Sequence, residues 1–132
     1  MAERVTAAER IKRRPEFETI YAKGVRLHSR SFTIFVAATD RGYARIGVAA
    51  TRKLGGAVVR NRAKRLAREL FRRDKPSTGV DIIIIPRREM LDAPFANLEA
   101  EYRAVLDRCS DRRLRAARGP RREGGARPAE GL

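Results

Sequence analysis

The chain has 132 residues, 31 Lys and Arg against 16 Asp and Glu, and a formal net charge of +15. That length, with 42% apolar residues, suits one domain with a modest core and excludes two full domains. The charge points to a polyanionic partner, nucleic acid before an anionic membrane, because each cation set against a phosphate releases condensed counterions.

The apolar runs, Ile82 to Ile85 among them, fall far short of the ~20 residues of a membrane span. The first 14 residues contain no apolar targeting core, so a cytoplasmic protein is expected. Cys109 is the only cysteine and forms no internal disulfide, in keeping with a reducing compartment, and no residues show metal-ligand spacing. The charge is uneven. Residues 1–14 supply +3, residues 57–74 supply +5 and residues 112–132 another +5, whereas residues 75–111 come to −2. This divides the chain into a basic extension (1–14), a domain (15–110) and a tail (111–132). The tail is rich in Arg, Gly, Ala and Pro, and it is read as disordered because it has almost nothing apolar to bury.

In chain order, Pro15 suits the first turn of a helix from Glu16 to Lys23, with Gly24 as its stop. Its apolar residues Phe17, Ile20 and Tyr21 lie at i, i+3 and i+4. Ser31 to Ala38 sets Phe32, Ile34 and Val36 against Thr33, Phe35 and Ala37, the alternation of a strand. Asp40-Arg41-Gly42 then supplies a turn, and Tyr43 to Ala50 follows as its expected hairpin partner. From Ala57 to about Arg73 the period becomes helical, with Val59, Ala63, Leu66 and Leu70 in the apolar stripe and Ala67 and Phe71 nearer its edge. Val80 to Ile85 is β-branched and nearly continuous, as for a central strand covered on both faces, and Pro86 closes it. Phe95, Leu98, Tyr102, Val105, Leu106 and Cys109 recur at helical spacing and are assigned to core packing. The order helix, strands, helix, strand, helix implies an α+β fold, an α/β sandwich around a small sheet of about four strands.

At about 100° per residue, the helix 57–73 places Asn61, Lys64, Arg65, Arg68 and Arg72 opposite its apolar stripe, flanked by Arg60 and Arg62. A solvated face is the ordinary fate of such a run. Its density argues for a bound polyanion instead: Lys64 with Arg68, and Arg68 with Arg72, are like charges at i, i+4, a spacing that destabilises an isolated helix.

The run from Arg52 to Arg72 resembles the signature of the bacterial ribonuclease P protein subunit. Its pattern, K-x-G-x-A-V-x-R-N-R-x-K-R-x-x-R-E-x-F-R, is met at every specified position from Lys53 to Arg72. Arg14 to Tyr21 looks like that family's first helix and Asp81 to Arg87 like its central strand, so the resemblance covers roughly residues 10–110. It implies a fold with a left-handed βαβ crossover, a rare sense. It also implies a small partner for a large catalytic RNA, most simply one to one, the pair removing the 5′ leader of precursor tRNA. In that family the RNA performs the cleavage with bound divalent metal such as Mg2+, and the protein alone is inactive.

By the same resemblance, Lys53, Arg60, Asn61, Arg62, Lys64, Arg65 and Arg68 face the RNA subunit, and Phe17, Tyr21 and Phe35 form the cleft for the single-stranded leader. Read without the family, Phe17 and Tyr21 are better taken as helix core at i, i+4, whereas Phe35 leaves the face used by Phe32 and Ile34. Gly55 and Gly56, before the basic helix, permit close backbone approach to phosphate, and the helix N-terminus adds amide donors.

The residues themselves offer little for a protein active site. His28 is the only histidine and reads as a surface residue after a helix-ending glycine. Glu69 and Asp74 lie among arginines, and Asp81 begins a strand, so no carboxylate cluster for metal-assisted cleavage is evident. A structural RNA-binding protein of ribosomal type is the alternative that charge alone supports. The order of Gly, Asn, Glu and Phe among the basic residues is what separates the two.

Overall fold

A computed structural model describes residues 5–76 and 79–109; the 111–132 tail lies outside the described residues. Helix α1 (Arg14–Lys23) leads into strands β1 (Val25–His28), β2 (Phe32–Ala38) and β3 (Arg45–Val48). Helix α2 (Ala57–Arg73), strand β4 (Val80–Pro86), and helices α3 (Arg88–Asp92) and α4 (Phe95–Arg108) follow. The sheet has four strands in the order β1-β2-β4-β3, antiparallel except for the β3–β4 pair. The fold is α+β, and β3-α2-β4 is its parallel crossover.

Two expectations change here. The segment after the Asp40-Arg41-Gly42 turn is not a hairpin partner of β2, because β4 inserts between them and β3 runs parallel to β4. A strand apolar on both faces belongs inside a sheet, and this demand outweighs the local preference of a short turn. The edge strand β1 was also not anticipated. Its four residues alternate buried and exposed, too brief a pattern to stand out beside a helix end.

The two faces of the sheet bury different groups. Phe32, Ile34, Val36, Ile82 and Ile84 point to the main core and meet Ala67, Leu70 and Phe71 of α2 and Leu98, Tyr102 and Val105 of α4, with Cys109 buried beside them. The packed stripe of α2 centres on Ala63, Ala67, Leu70 and Phe71, while Val59 and Leu66 are only half-buried. Small residues let a helix lie close to a sheet, which side-chain size alone does not reveal. On the opposite face Ile83 and Ala37 pack under Ile20 of α1 and Ile11. Ile11 precedes α1, and its N–H donates to the Ile46 carbonyl at 2.9 Å, so part of the basic extension lies along β3.

One buried ion cluster ties these layers. Arg45 on β3 stands in register with Asp81 on β4 and donates to both of its carboxylate oxygens at 2.9 Å, then reaches Glu16 of α1 at 3.1 Å. Elsewhere Glu101 of α4 accepts from the Ser31 N–H at 3.0 Å, from the Ser31 hydroxyl at 2.8 Å and from the Ser29 hydroxyl, fastening α4 to the β1–β2 turn.

Removing one partner of a buried pair leaves the other charge desolvated. Asp81→Ala is therefore expected to cost about 3–5 kcal/mol, seen as a lowered midpoint in urea unfolding. Burial pushes the Glu16 and Glu101 carboxyls up, but Arg45 outweighs it at Glu16, and the Ser29 and Ser31 donors outweigh it at Glu101. Both carboxyls thus sit below the ordinary carboxylate range, and the unfolded chain takes up their protons first on acidification. The stability they supply is complete above the unfolded value, about 4.3 for Glu, and is lost as pH falls through the lower folded values. Melting temperatures should fall on acidification through that window; a rise would contradict the assignment.

Candidate RNA-binding surfaces

The first surface is built on α2. With its stripe packed on the sheet, the opposite face presents Asn61, Lys64, Arg65 and Arg68 along a groove of about 570 Å³, completed by Val5, Arg10, Glu69 and Arg72. Burial, and then the nearby charge of Arg10, hold the Arg68 guanidinium below its ordinary value. The smaller of these two effects is crowding of positive charge, which a phosphate in the groove would relieve. Glu69 is engaged by Arg72, whose Nε donates to Oε1 at 3.0 Å, so the acidic member of the groove is already paired.

The structure does not gather all seven residues of the motif into this groove. Arg60 Nη1 donates to the Gly55 carbonyl at 3.1 Å, bracing the loop before the helix, and Arg62 Nη2 donates to the Leu91 carbonyl at 2.9 Å, tying α2 to α3. Lys53 is exposed in the turn in which the Leu54 N–H donates to the Thr51 carbonyl. Arg10 was missed by sequence reasoning, since a single Arg before a helix carries no periodic signal; only its proximity to Arg68 reveals it.

The two loop glycines differ. Gly55 has φ of +153°, and a Cβ there would meet Val59 Cγ1 at 2.9 Å; at Gly56, the N-cap of α2, a Cβ would meet nothing within 4 Å. Gly55 is thus demanded by the fold, whereas Gly56 leaves open space at the helix N-terminus, where amide donors and the helix dipole favour an anion.

The second surface lies on the other side of the sheet. The Tyr21 ring meets Phe35 edge-on at 4.9 Å and lies 6.3 Å from Phe17. Ile20 is the buried anchor of α1, whereas Tyr21 is 37% exposed and Phe17 and Phe35 are half-buried. The three rings therefore form one continuous, partly open aromatic wall, continued by Ile85 and Ala49. Gly47 sets its depth: a Cβ there would approach Phe17 Cζ to 2.9 Å and Ile11 Cβ to 3.1 Å. Phe17 comes this close to β3 because that position has no side chain.

The acidic residues weighed for metal chemistry are each held by a guanidinium: Glu69 by Arg72, Asp74 by Arg103 at 3.0 Å, and Asp81 by Arg45. His28 lies on β1, its Nδ1 at 3.2 Å from the Thr33 hydroxyl.

Known proteins share this sequence pattern and fold. The family model described as Ribonuclease P matches residues 5–110. The ribonuclease P protein component of Syntrophus aciditrophicus is 38% identical over 101 residues, covering 75% of this chain and 85% of that protein. Among solved structures, the RNase P protein of Thermotoga maritima superposes with a TM-score of 0.68 at 33% identity, covering 76% of this chain and 96% of that one. The Staphylococcus aureus RNase P protein does so with a TM-score of 0.68 at 32% identity, covering 76% and 94%.

The glycine pair supplies a test of the loop. Gly55→Ala should lower the melting temperature, at a cost of about 1–3 kcal/mol, while Gly56→Ala should melt like the parent and lose affinity only for RNA. Equal stability losses in calorimetry would contradict this division.

Proposed function

Because the chain belongs to the ribonuclease P protein family, we propose that it serves as the protein subunit of a tRNA-processing ribonucleoprotein, in which it binds the catalytic RNA and the single-stranded 5′ leader of precursor tRNA. The RNA subunit is gripped by the α2 groove, through Asn61, Lys64, Arg65, Arg68 and the added Arg10. Lys53 and the open amides around Gly56 extend that contact at the helix N-terminus, while Arg60 and Arg62 hold the loop and α3 in place beside it. The leader lies against Phe17, Tyr21 and Phe35, whose rings accept successive bases by stacking without regard to sequence, as an enzyme acting on many precursors requires.

The observation that carries this reading is the pairing of two unlike surfaces on opposite faces of one sheet. A structural RNA-binding protein needs only the charged one, and its charge would not account for a half-exposed aromatic wall kept open by Gly47. The division of labour follows: the RNA, with Mg2+ bound mainly by its own phosphates, breaks the phosphodiester bond, and the protein, one copy per RNA, secures the substrate's leader.

The decisive assay is precursor-tRNA cleavage at low magnesium, with the protein, a bacterial ribonuclease P RNA, or both. Stimulation of the RNA by a protein that is inactive alone is expected; cleavage by the protein alone, or no stimulation, overturns the reading. Arg65→Ala should weaken assembly with the RNA. Tyr21→Ala, at the most exposed of the three cleft rings, should weaken binding of leader-bearing substrate relative to mature tRNA by about 1–3 kcal/mol, and filter binding to both substrates distinguishes the two effects.

A further inference from the structure

The aromatic wall has an unassigned neighbour. Strand β1 forms the sheet edge, and its two sides differ: Val25 and Leu27 enter the main core, whereas Arg26 and His28 are exposed on the side that carries Phe35. The β1–β2 register fixes their position, with Arg26 opposite Phe35 and His28 opposite Thr33. Residues directly paired on one face have Cβ atoms about 4.5–5.5 Å apart. The Arg26 stem therefore rises beside the ring that Tyr21 meets edge-on. The bond from His28 Nδ1 to the Thr33 hydroxyl holds the imidazole against the same face and leaves Nε2 for another partner.

The wall itself is uncharged, yet a single strand brings a phosphate with every base. Binding sites for such strands combine stacking with cations that follow the backbone. The cations on the far side of α1 do not serve: Arg45 is committed to Asp81 and Glu16, and Lys23 lines a separate pocket with Glu16, Asp40 and Asp81. Among the described residues no carboxylate pairs with Arg26.

We propose that Arg26 and His28 form a phosphate-tracking wall along the β1 side of the cleft, Arg26 pairing with a phosphate of the single strand stacked on Phe35 and His28 donating or accepting a hydrogen bond at its backbone through Nε2. The proposal rests on the assignment of the cleft to the leader and extends that site by one strand. Edge strands also carry charge merely to discourage pairing with other chains. In that role Arg26 would be indifferent to the leader, and the two roles separate experimentally.

The test uses the holoenzyme reconstituted with a bacterial ribonuclease P RNA, and compares affinity for precursor tRNA with affinity for the same tRNA without its leader, across a salt series. Arg26→Ala should weaken binding of the leader-bearing substrate roughly tenfold, the strength of one charge-assisted bond, and leave the leaderless one within about twofold. The slope of log affinity against log salt should fall by about 0.7, one phosphate of a single strand. Arg26→Lys should retain the slope, and His28→Ala should cost a few-fold without changing it. Both side chains are exposed, so melting curves should match the parent. If Tyr21→Ala abolishes leader preference while Arg26→Ala leaves it and the slope intact, the wall is wrong and the cleft stands. If neither changes leader preference, the cleft assignment fails and takes the wall with it.

Discussion

The Arg45–Asp81 pair decides how the sheet is put together. Four consecutive isoleucines in β4 are equally content facing either side, so apolar alternation, the usual guard against a slip of one residue, is absent there. The paired charges at the start of the strand break this degeneracy, because a displaced β4 would leave a buried guanidinium facing hydrocarbon. With that register, Ile82 and Ile84 face α2 and α4, Ile83 and Ile85 face α1, and Gly47 stands opposite Ile83. The reach of Arg45 to Glu16 then fixes α1 over the same rows.

Both candidate surfaces follow from that assembly. Two unlike helices cover the sheet: α2, long and strongly basic outside, and α1, short, with Phe17 and Tyr21 partly open. The main core is left to apolar groups, and the densest positive charge lies on the outer face of α2. Arg10 and Ile11 show the economy of the arrangement. These neighbours along the β3 edge send one side chain toward the α2 groove and the other beneath Phe17.

Much of this was legible in the sequence, for identifiable reasons. Alternation in β2 assigned Phe35 to the face opposite Phe32 and Ile34, helical periodicity separated the basic and apolar sides of α2, and the motif from Lys53 to Arg72 pointed to the family that residues 5–110 match. What escaped depends on contacts distant in the chain. The insertion of β4 between β2 and β3 is a competition among strands that no local turn signal records. Strand β1 is too short for its period to speak, and with it went the surroundings of His28. The centring of α2 on Ala63 and Ala67 reflects closeness to the sheet, which hydrophobicity does not measure. Arg10 belongs to the groove by position alone.

Gly47 gives these observations a wider bearing. It offers no hydrogen bond, charge or ring, and yet the resting place of Phe17 is determined by the hydrogen atom it carries in place of a side chain. The shape of the aromatic surface is in this sense written on the reverse of the residues that form it, in a strand behind them. Variation that alters the surface need not touch any residue able to meet a nucleotide, and a list of such residues would not reveal where the surface is most easily lost.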